Sequence, residues 1–365
     1  MIEILITQLL QTNLLISAGV MTALYGIIIT QWPQWQKHKS FFKNYQGVQR
    51  VHEGEIPRLG GLVIYIGVWV YWLLCQHDQE MPFIQCLLIS SLPLIFISVK
   101  EDLLHNTRAV TRLVSMAVSC ILFFLSYDLS YPFIELFVIG EWINNSSVLS
   151  LLFFSFCVLV IINGSNMIDG ANGLLPMTLL MQALCLMFIA YEANDSLNMV
   201  RLFYIIAPII IFIGFNYPWG RIFLGDSGAY FLGFMMSLLT IIIFSEHPEF
   251  PTWGAVLILF YPAFELIFSI IRKLIEHKNP MEPDRHHLHL KMFHLFNSQV
   301  MKPGARNSMV MPFLALIWGM PFILLVWVKK SLILTVIAIF LCIFIYLGFY
   351  SALPRKNSKE LCDND

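Results

Sequence analysis

Four short polar segments interrupt an otherwise apolar chain, and each carries residue types able to bind phosphate or metal. They are Ile56-Pro-Arg-Leu-Gly-Gly61, Glu101-Asp102, Asn163-Gly-Ser-Asn-Met-Ile-Asp-Gly-Ala-Asn-Gly173 and Phe223-Leu-Gly-Asp-Ser-Gly228. In the third, glycines at 164, 170 and 173 permit close backbone approach, and Asn166, Asp169 and Asn172 recur every third residue. If that stretch forms a helical turn, the three side chains share a face that can hold a cation and a polar ligand. A helix cap and a turn between two spans would use the same residues. A second glycine-bracketed acid, Asp226, tips the reading toward a site. Asp and Asn oxygens are hard ligands suited to Mg²⁺ or Mn²⁺, which bind through one or two carboxylates plus substrate phosphates. Glu101 and Asp102 repel each other unless a cation or proton compensates; the plain alternative is a solvated face beside Lys100, Arg108 and Arg112. Arg58 suits a phosphate at a helix start, and equally an interfacial anchor. Asp284-Arg285-His286-His287-Leu288-His289 offers cations and neutral donors for a pyrophosphate; zinc is the alternative, but no cysteine lies nearby and the acids favour magnesium. Glu265, in Tyr261-Pro-Ala-Phe-Glu265, reads as a structural glutamate or an intramembrane polar partner.

The elements that must position these residues are membrane helices. With 58% hydrophobic and 12% charged residues and a mean hydropathy of +0.73, the chain is too apolar for a water-soluble protein of this length. Apolar runs of bilayer-spanning length fall near 4–30, 59–75, 82–99, 110–126, 148–163, 174–191, 201–216, 227–244, 254–275, 309–328 and 331–350. The expected architecture is all-α, with about eleven transmembrane helices forming a single domain over 1–350 and a short polar tail over 351–365. The first run lacks a small-residue cleavage site and reads as a retained helix. Of the 22 Lys and Arg, only Arg201, Lys329 and Lys330 fall in or beside the outer loops, which by the positive-inside rule puts the N-terminus outside, the C-terminus in the cytoplasm and all four polar segments on the cytoplasmic face. A carboxylate at mid-membrane costs roughly 2.5–3.5 kcal/mol on insertion scales, so acids kept at helix ends point to use. Seven scattered cysteines without a CxxC pair argue against disulfides or zinc.

Taken in order, these segments resemble the polyprenyl-phosphate N-acetylhexosamine-1-phosphate transferases, bacterial membrane enzymes that start lipid-linked glycans. The resemblance runs from Arg50 to about Leu290. Pro57 to Gly61 looks like the family's proline-glycine-glycine segment and Glu101-Asp102 like its Asp-Asp pair. Asn163 to Leu174 looks like its Asn-x-x-Asn-x-x-Asp-Gly loop, Phe223 to Gly228 like its Phe-x-Gly-Asp-x-Gly segment, and Asp284 to His289 like its Asp-Arg-x-His-x-His loop. Glu101 replaces the first Asp, Ala229 a usual Ser and Leu290 a further His. The Glu101-Asp102 pair, Asn172 and the missing histidine at Leu290 resemble the branch acting in O-antigen and other surface-polysaccharide synthesis.

The resemblance implies transfer of a sugar 1-phosphate from a UDP-N-acetylhexosamine to undecaprenyl phosphate, with release of UMP, in the bacterial inner membrane. It implies Mg²⁺, with Mn²⁺ as substitute, held by Asp226 and Asn166. Asp102, helped by Glu101, would bind the lipid phosphate or take its proton; because a phosphate monoester's second pKa is near 6, both roles stay open. Phe223 would stack on uracil with Asn172 and Asp169 beside it, and Arg285, His287, His289, Arg112 and Arg58 would hold sugar and phosphates. Membrane lipid is the expected surrounding, a homodimer is a compatible assembly, and no nucleic-acid partner is expected. The competing classes are a secondary transporter, which would place acids near mid-membrane in related halves, and an inactive scaffold of a polysaccharide assembly complex.

Overall fold

The computed structural model describes residues 12–35, 56–75, 81–280, 282, 286–296, 301–328 and 330–354. Among these residues the chain is helical throughout, without a strand. The helices are α1 (Thr12–Trp35), α2 (Gly60–Leu74), α3 (Met81–Ser90), α4 (Leu92–Leu104), α5 (Ala109–Ser126), α6 (Phe137–Asn144), α7 (Ser147–Ile168) and α8 (Leu174–Glu192). They continue with α9 (Ser196–Asn216), α10 (Gly225–Glu246), α11 (Trp253–Ile258), α12 (Phe260–Ile275), α13 (Leu288–Leu295), α14 (Pro303–Phe313), α15 (Ala315–Val328) and α16 (Leu332–Ala352).

Among the described residues, eight helical segments are long and apolar enough to cross a bilayer, counting α14 and α15 as one, and the bent pair α3–α4 makes a ninth. The chain is a multi-pass membrane protein. The expected runs at 59–75 and 254–275 are helical but fall short of that test. α2 has only 15 residues, and the second run breaks at Leu259, just before Pro262, a residue that cannot supply the helix N–H of its turn. The 49° bend between α3 and α4 lies beside Pro93, and the Ser119 hydroxyl accepts the Leu94 N–H at 3.2 Å near that break. Several spans open on polar caps: Ser146 accepts the Leu149 N–H, Asp195 that of Asn198, and Ser331 that of Leu334.

The centre of the bundle is α10, whose residues from Gly225 to Phe244 are all buried. A helix apolar around its whole circumference has no face to give to lipid or water, and α10 packs against α7, α4, α2, α8 and α9. Peripheral helices show the opposite pattern, exposing Phe96 (72%), Trp327 (79%) and Phe344 (76%), as lipid-facing surfaces do. The 22 residues of α10 span about 33 Å, close to the thickness of a hydrocarbon core.

Polar clusters therefore sit at both ends of α10. At its C-terminal end Asn198 donates to Asp195 and to Glu246, both at 2.5 Å, and His247 Nε2 lies 2.7 Å from Asp195. Against the upward push of burial, the Asn198 N–H and His247 hold Asp195 below the usual carboxylate range. This network ties the start of α9 to the end of α10. The expected motifs gather at the other end.

Candidate active site

The N-terminus of α10 is shaped by glycines. Residues 57–61 lie alongside 223–224: Phe223 N–H donates to Pro57 O at 2.9 Å, Gly60 N–H to Phe223 O at 2.9 Å and Gly61 N–H to Leu224 O at 2.8 Å. A Cβ on Gly61 would fall 2.0 Å from the backbone of Gly228, so the two motifs dock only because side chains are missing there. Gly225 has φ +75°, and a Cβ there would meet the Arg58 carbonyl oxygen at 2.3 Å and both Asp102 carboxylate oxygens at 2.7 Å.

That space admits the Asp102 carboxylate, whose side chain is 0% exposed. One oxygen accepts the Asp226 backbone N–H at 2.8 Å and the other the Ser227 N–H at 2.9 Å. Asp102 thus caps α10 from a different helix, with its charge against the positive end of the helix dipole. Its neighbour Glu101 accepts the Thr107 N–H at 2.8 Å. Successive helix residues point about 100° apart, so the acidic pair divides its work: Asp102 turns into the bundle and Glu101 toward the loop that follows α4.

Asp226 is 5% exposed and receives four donors. Oδ1 accepts Arg58 at 3.2 Å and the Asn166 amide at 3.1 Å; Oδ2 accepts Arg112 and the Tyr230 hydroxyl, each at 3.1 Å. Both guanidinium side chains keep 28% of their surface open, and Arg58 Nε stands 3.9 Å from Asp102. Four helices and the segment preceding α2 therefore bring Arg58, Asp102, Arg112, Asn166 and Asp226 to one place. Tyr230 escaped the sequence reading although it lies one turn beyond Asp226 on the same helix, a spacing that could have flagged it.

The Asn163–Gly173 stretch departs from the shared face expected of it. α7 ends at Ile168 with Asp169 as its C-cap, so only Asn166 keeps the helical direction toward Asp226. Burial pushes the half-buried Asp169 well above the usual carboxylate range, with Arg58 opposing and Asp226 and Asp102 adding to the rise. Asn172, past the end of the helix, turns toward α14: its N–H donates to Asn307 at 2.6 Å and its amide to Ser308 at 3.0 Å and Pro218 O at 3.4 Å. Its Oδ1 is buried without a partner among the described residues. Phe223 is half-buried. Asn307 and Ser308 were invisible as site neighbours, lying more than 130 residues along the chain.

His287 and His289 are buried at the start of α13, with parallel rings 5.9 Å apart. The edge of His289 abuts Gly170, where a Cβ would fall 2.1 Å from Nε2. The expected ligand Arg285, with Asp284, lies outside the described residues.

Oxygen donors from Asp226 and Asn166, with Asp102 and Asp169 close by, form a set that fits a hard divalent cation. The Asn166 amide offers its oxygen to a metal by exchanging the places of its O and N atoms. Here the two guanidinium groups supply the positive charge facing Asp226.

A sequence profile of the family described as Glycosyl transferase family 4 matches residues 84–244. This stretch holds Glu101-Asp102, the Asn163–Gly173 loop and Asp226. The chain is 25% identical over 249 residues to a probable undecaprenyl-phosphate N-acetylglucosaminyl 1-phosphate transferase of Bacillus subtilis, covering 67% of each chain. It is 26% identical over 268 residues to an undecaprenyl-phosphate alpha-N-acetylglucosaminyl 1-phosphate transferase of Thermotoga maritima, covering 72% of this chain and 76% of that one. The protein of the same description from Escherichia coli K12 is 26% identical over 245 residues, 65% of each. With the acids and glycines of that matched stretch assembled around one helix terminus, the chain is similar to glycosyl transferase family 4 over residues 84–244 and to undecaprenyl-phosphate N-acetylglucosaminyl 1-phosphate transferases over about two thirds of its length.

Proposed function

We propose that this protein transfers N-acetylhexosamine 1-phosphate from a UDP-sugar to undecaprenyl phosphate in the bacterial inner membrane, releasing UMP and starting a lipid-linked glycan. An oxygen of the lipid phosphate attacks the sugar-bearing phosphorus of the donor; the bond from that phosphorus to the bridging oxygen breaks, and the oxygen leaves with UMP. The observation that carries this reading is the convergence of Arg58, Arg112, Asn166 and Asp226 at the α10 terminus, where two guanidinium side chains, each still 28% exposed, flank a buried acid. Guanidinium groups bind diphosphate oxygens bidentately and spread their charge over the transferring group. Nδ1 of His289 and Oδ1 of Asn172, buried without a partner among the described residues, mark further polar positions for the donor to satisfy.

Asp226 and Asn166 would hold Mg²⁺ or Mn²⁺, which when bound supplies charge neutralisation at the diphosphate. Asp102 sets the α10 terminus, and its two N–H bonds support a role in holding Asp226 rather than in carrying protons. Eleven crossings, with the N-terminus outside and the site open to the cytoplasm, suit the basic residues around 31–58 and 276–308. Reporter fusions after Gly173 and Pro280 should behave as cytoplasmic and one after Ser196 as external.

The deciding experiment supplies purified protein in lipid nanodiscs with undecaprenyl phosphate and a panel of UDP-sugars, and identifies the lipid product by mass spectrometry. UDP-N-acetylhexosamines should outrun UDP-glucose by about 5- to 150-fold, the cost of leaving one buried acetamido partner unsatisfied. Equal use of UDP-glucose would overturn the donor assignment, and absence of any lipid-linked product would overturn the transfer.

A further inference from the structure

Behind the two histidines lies a carboxylate that the proposed transfer does not use. Glu265, in α12, is 1% exposed. Its Oε1 lies 3.1 Å from Nδ1 of His287 and accepts the Leu288 N–H at 3.3 Å, while Oε2 accepts the Tyr346 hydroxyl of α16 at 2.5 Å. Tyr346 is 0% exposed and His287 3%. A glutamate enclosed this completely needs its oxygens satisfied, and here each oxygen has a partner from a separate part of the chain.

That arrangement fixes more than packing. An ionised carboxylate only accepts, so the imidazole nitrogen facing it must carry the hydrogen; every other partner of His287 is then met through Nε2. The Leu288 N–H sets the start of α13 on the same oxygen, which locks the ring to the backbone that carries it. Tyr346 holds the second oxygen and stops the carboxylate turning about its last bond. His289 lies in a parallel plane against His287 and touches the Asn163–Gly173 loop at Gly170. Orientation set at Glu265 thus reaches the loop that contributes Asn166.

We propose that Glu265 and Tyr346 are a positioning pair that holds His287 in the Nδ1–H form, leaving Nε2 as an acceptor committed to a hydroxyl or amide N–H of the donor's sugar. The inference rests on the transfer reading above, and Glu265 itself touches no substrate. A glutamate serving packing alone would not depend on which imidazole nitrogen carries hydrogen.

The test uses the full chain in nanodiscs with ¹⁵N-labelled histidine, the His287 ring being assigned by its loss in His287→Gln. Wild type should show Nδ1 protonated. Glu265→Gln keeps the shape but removes the charge; it should turn the His287 signal into a mixture of tautomers and lower kcat by about 10- to 100-fold, the usual loss when a residue orienting a histidine is changed. KM for the UDP-sugar and the thermal midpoint should stay near wild type. Tyr346→Phe should shift the same signal and lower kcat by about 3- to 10-fold, and it carries the test if Glu265→Gln does not fold. Variants that lose activity and thermal stability together, with unchanged His287 nitrogens, would show Glu265 to be structural only; unchanged kcat in both would equally overturn the proposal. A wild-type protein that forms no lipid product would instead strike at the transfer reading, while the nitrogen signals still report on the pair.

Discussion

Replacing Asp102 by asparagine separates two jobs that one carboxylate can do. In the structure its oxygens accept the Asp226 and Ser227 N–H groups at 2.8 and 2.9 Å, and its side chain is closed to solvent. Asparagine keeps one accepting atom and turns an N–H₂ toward the other backbone donor, so one buried N–H loses its partner and the remaining bond loses its charge. An unsatisfied buried donor costs about 1–3 kcal/mol, and withdrawing an anion from a helix N-terminus costs roughly 0.3–1 kcal/mol more. Relief of repulsion with Asp226 offsets part of this, leaving about 2 kcal/mol, close to a 30-fold change in the folding equilibrium. The α10 terminus also carries Asp226, so catalysis should fall further than stability, by at least about 10²-fold. The assay pairs thermal unfolding in nanodiscs with kcat and with KM for both substrates. The anchor account expects a lower thermal midpoint together with lower kcat. Glu101→Asp, which keeps the charge and disturbs the bond to Thr107, should be milder on both counts. A variant Asp102→Asn with an unchanged midpoint, a collapsed kcat and activity recovering at high pH would refute the anchor account in favour of proton transfer.

Three further outcomes follow from the same geometry. Asp226→Asn or Asn166→Ala should lower turnover by at least about 10²-fold, near 2.7 kcal/mol of barrier, and wild type should stop in excess chelator and resume with Mg²⁺ or Mn²⁺; full turnover in chelator would end the metal assignment. Gly61→Ala puts a Cβ 2.0 Å from Gly228, an overpacking cost of about 1–3 kcal/mol that should appear as a lost or broadened monodisperse peak on size-exclusion chromatography, whereas a normal peak would contradict the close docking of the two motifs. Burial and then His287 pull His289 down to about 3, with Glu265 opposing. The unfolded chain takes up this proton near 6.5, so stability is complete above that pH and declines as pH falls below it, by about 1 kcal/mol between pH 7.5 and 5.5. Asp195, held low, would lose its contribution only below the ordinary carboxylate range. Thermal midpoints of wild type and His289→Asn across this window should converge on acidification, and parallel curves would disprove the assignment.

The helical, membrane-spanning architecture was legible because it depends on local apolar runs, and so were the acids, since a bilayer tolerates few without a reason. What each acid does was not legible. Glu101 and Asp102 read as one unit along the chain, yet a helix sends adjacent side chains in different directions, and the fold gives one to Thr107 and the other to the α10 backbone. Asn166, Asp169 and Asn172 read as one face because their spacing suits a helix, and the helix stops at Ile168. Arg58 and Arg112 were expected on substrate phosphates, and in this structure both rest on Asp226, 168 and 114 residues away. These differences share a cause. Residue type sets what a side chain can bind, but its partner is chosen by which helix ends meet, and that choice is carried by glycines whose contribution is an absence of atoms. Gly61 and Gly228 let two backbones touch, and Gly225 leaves room for Asp102. A site made this way is sensitive to one added methyl group far from any reacting atom, because moving the α10 terminus moves Asp226 and the two guanidinium groups together.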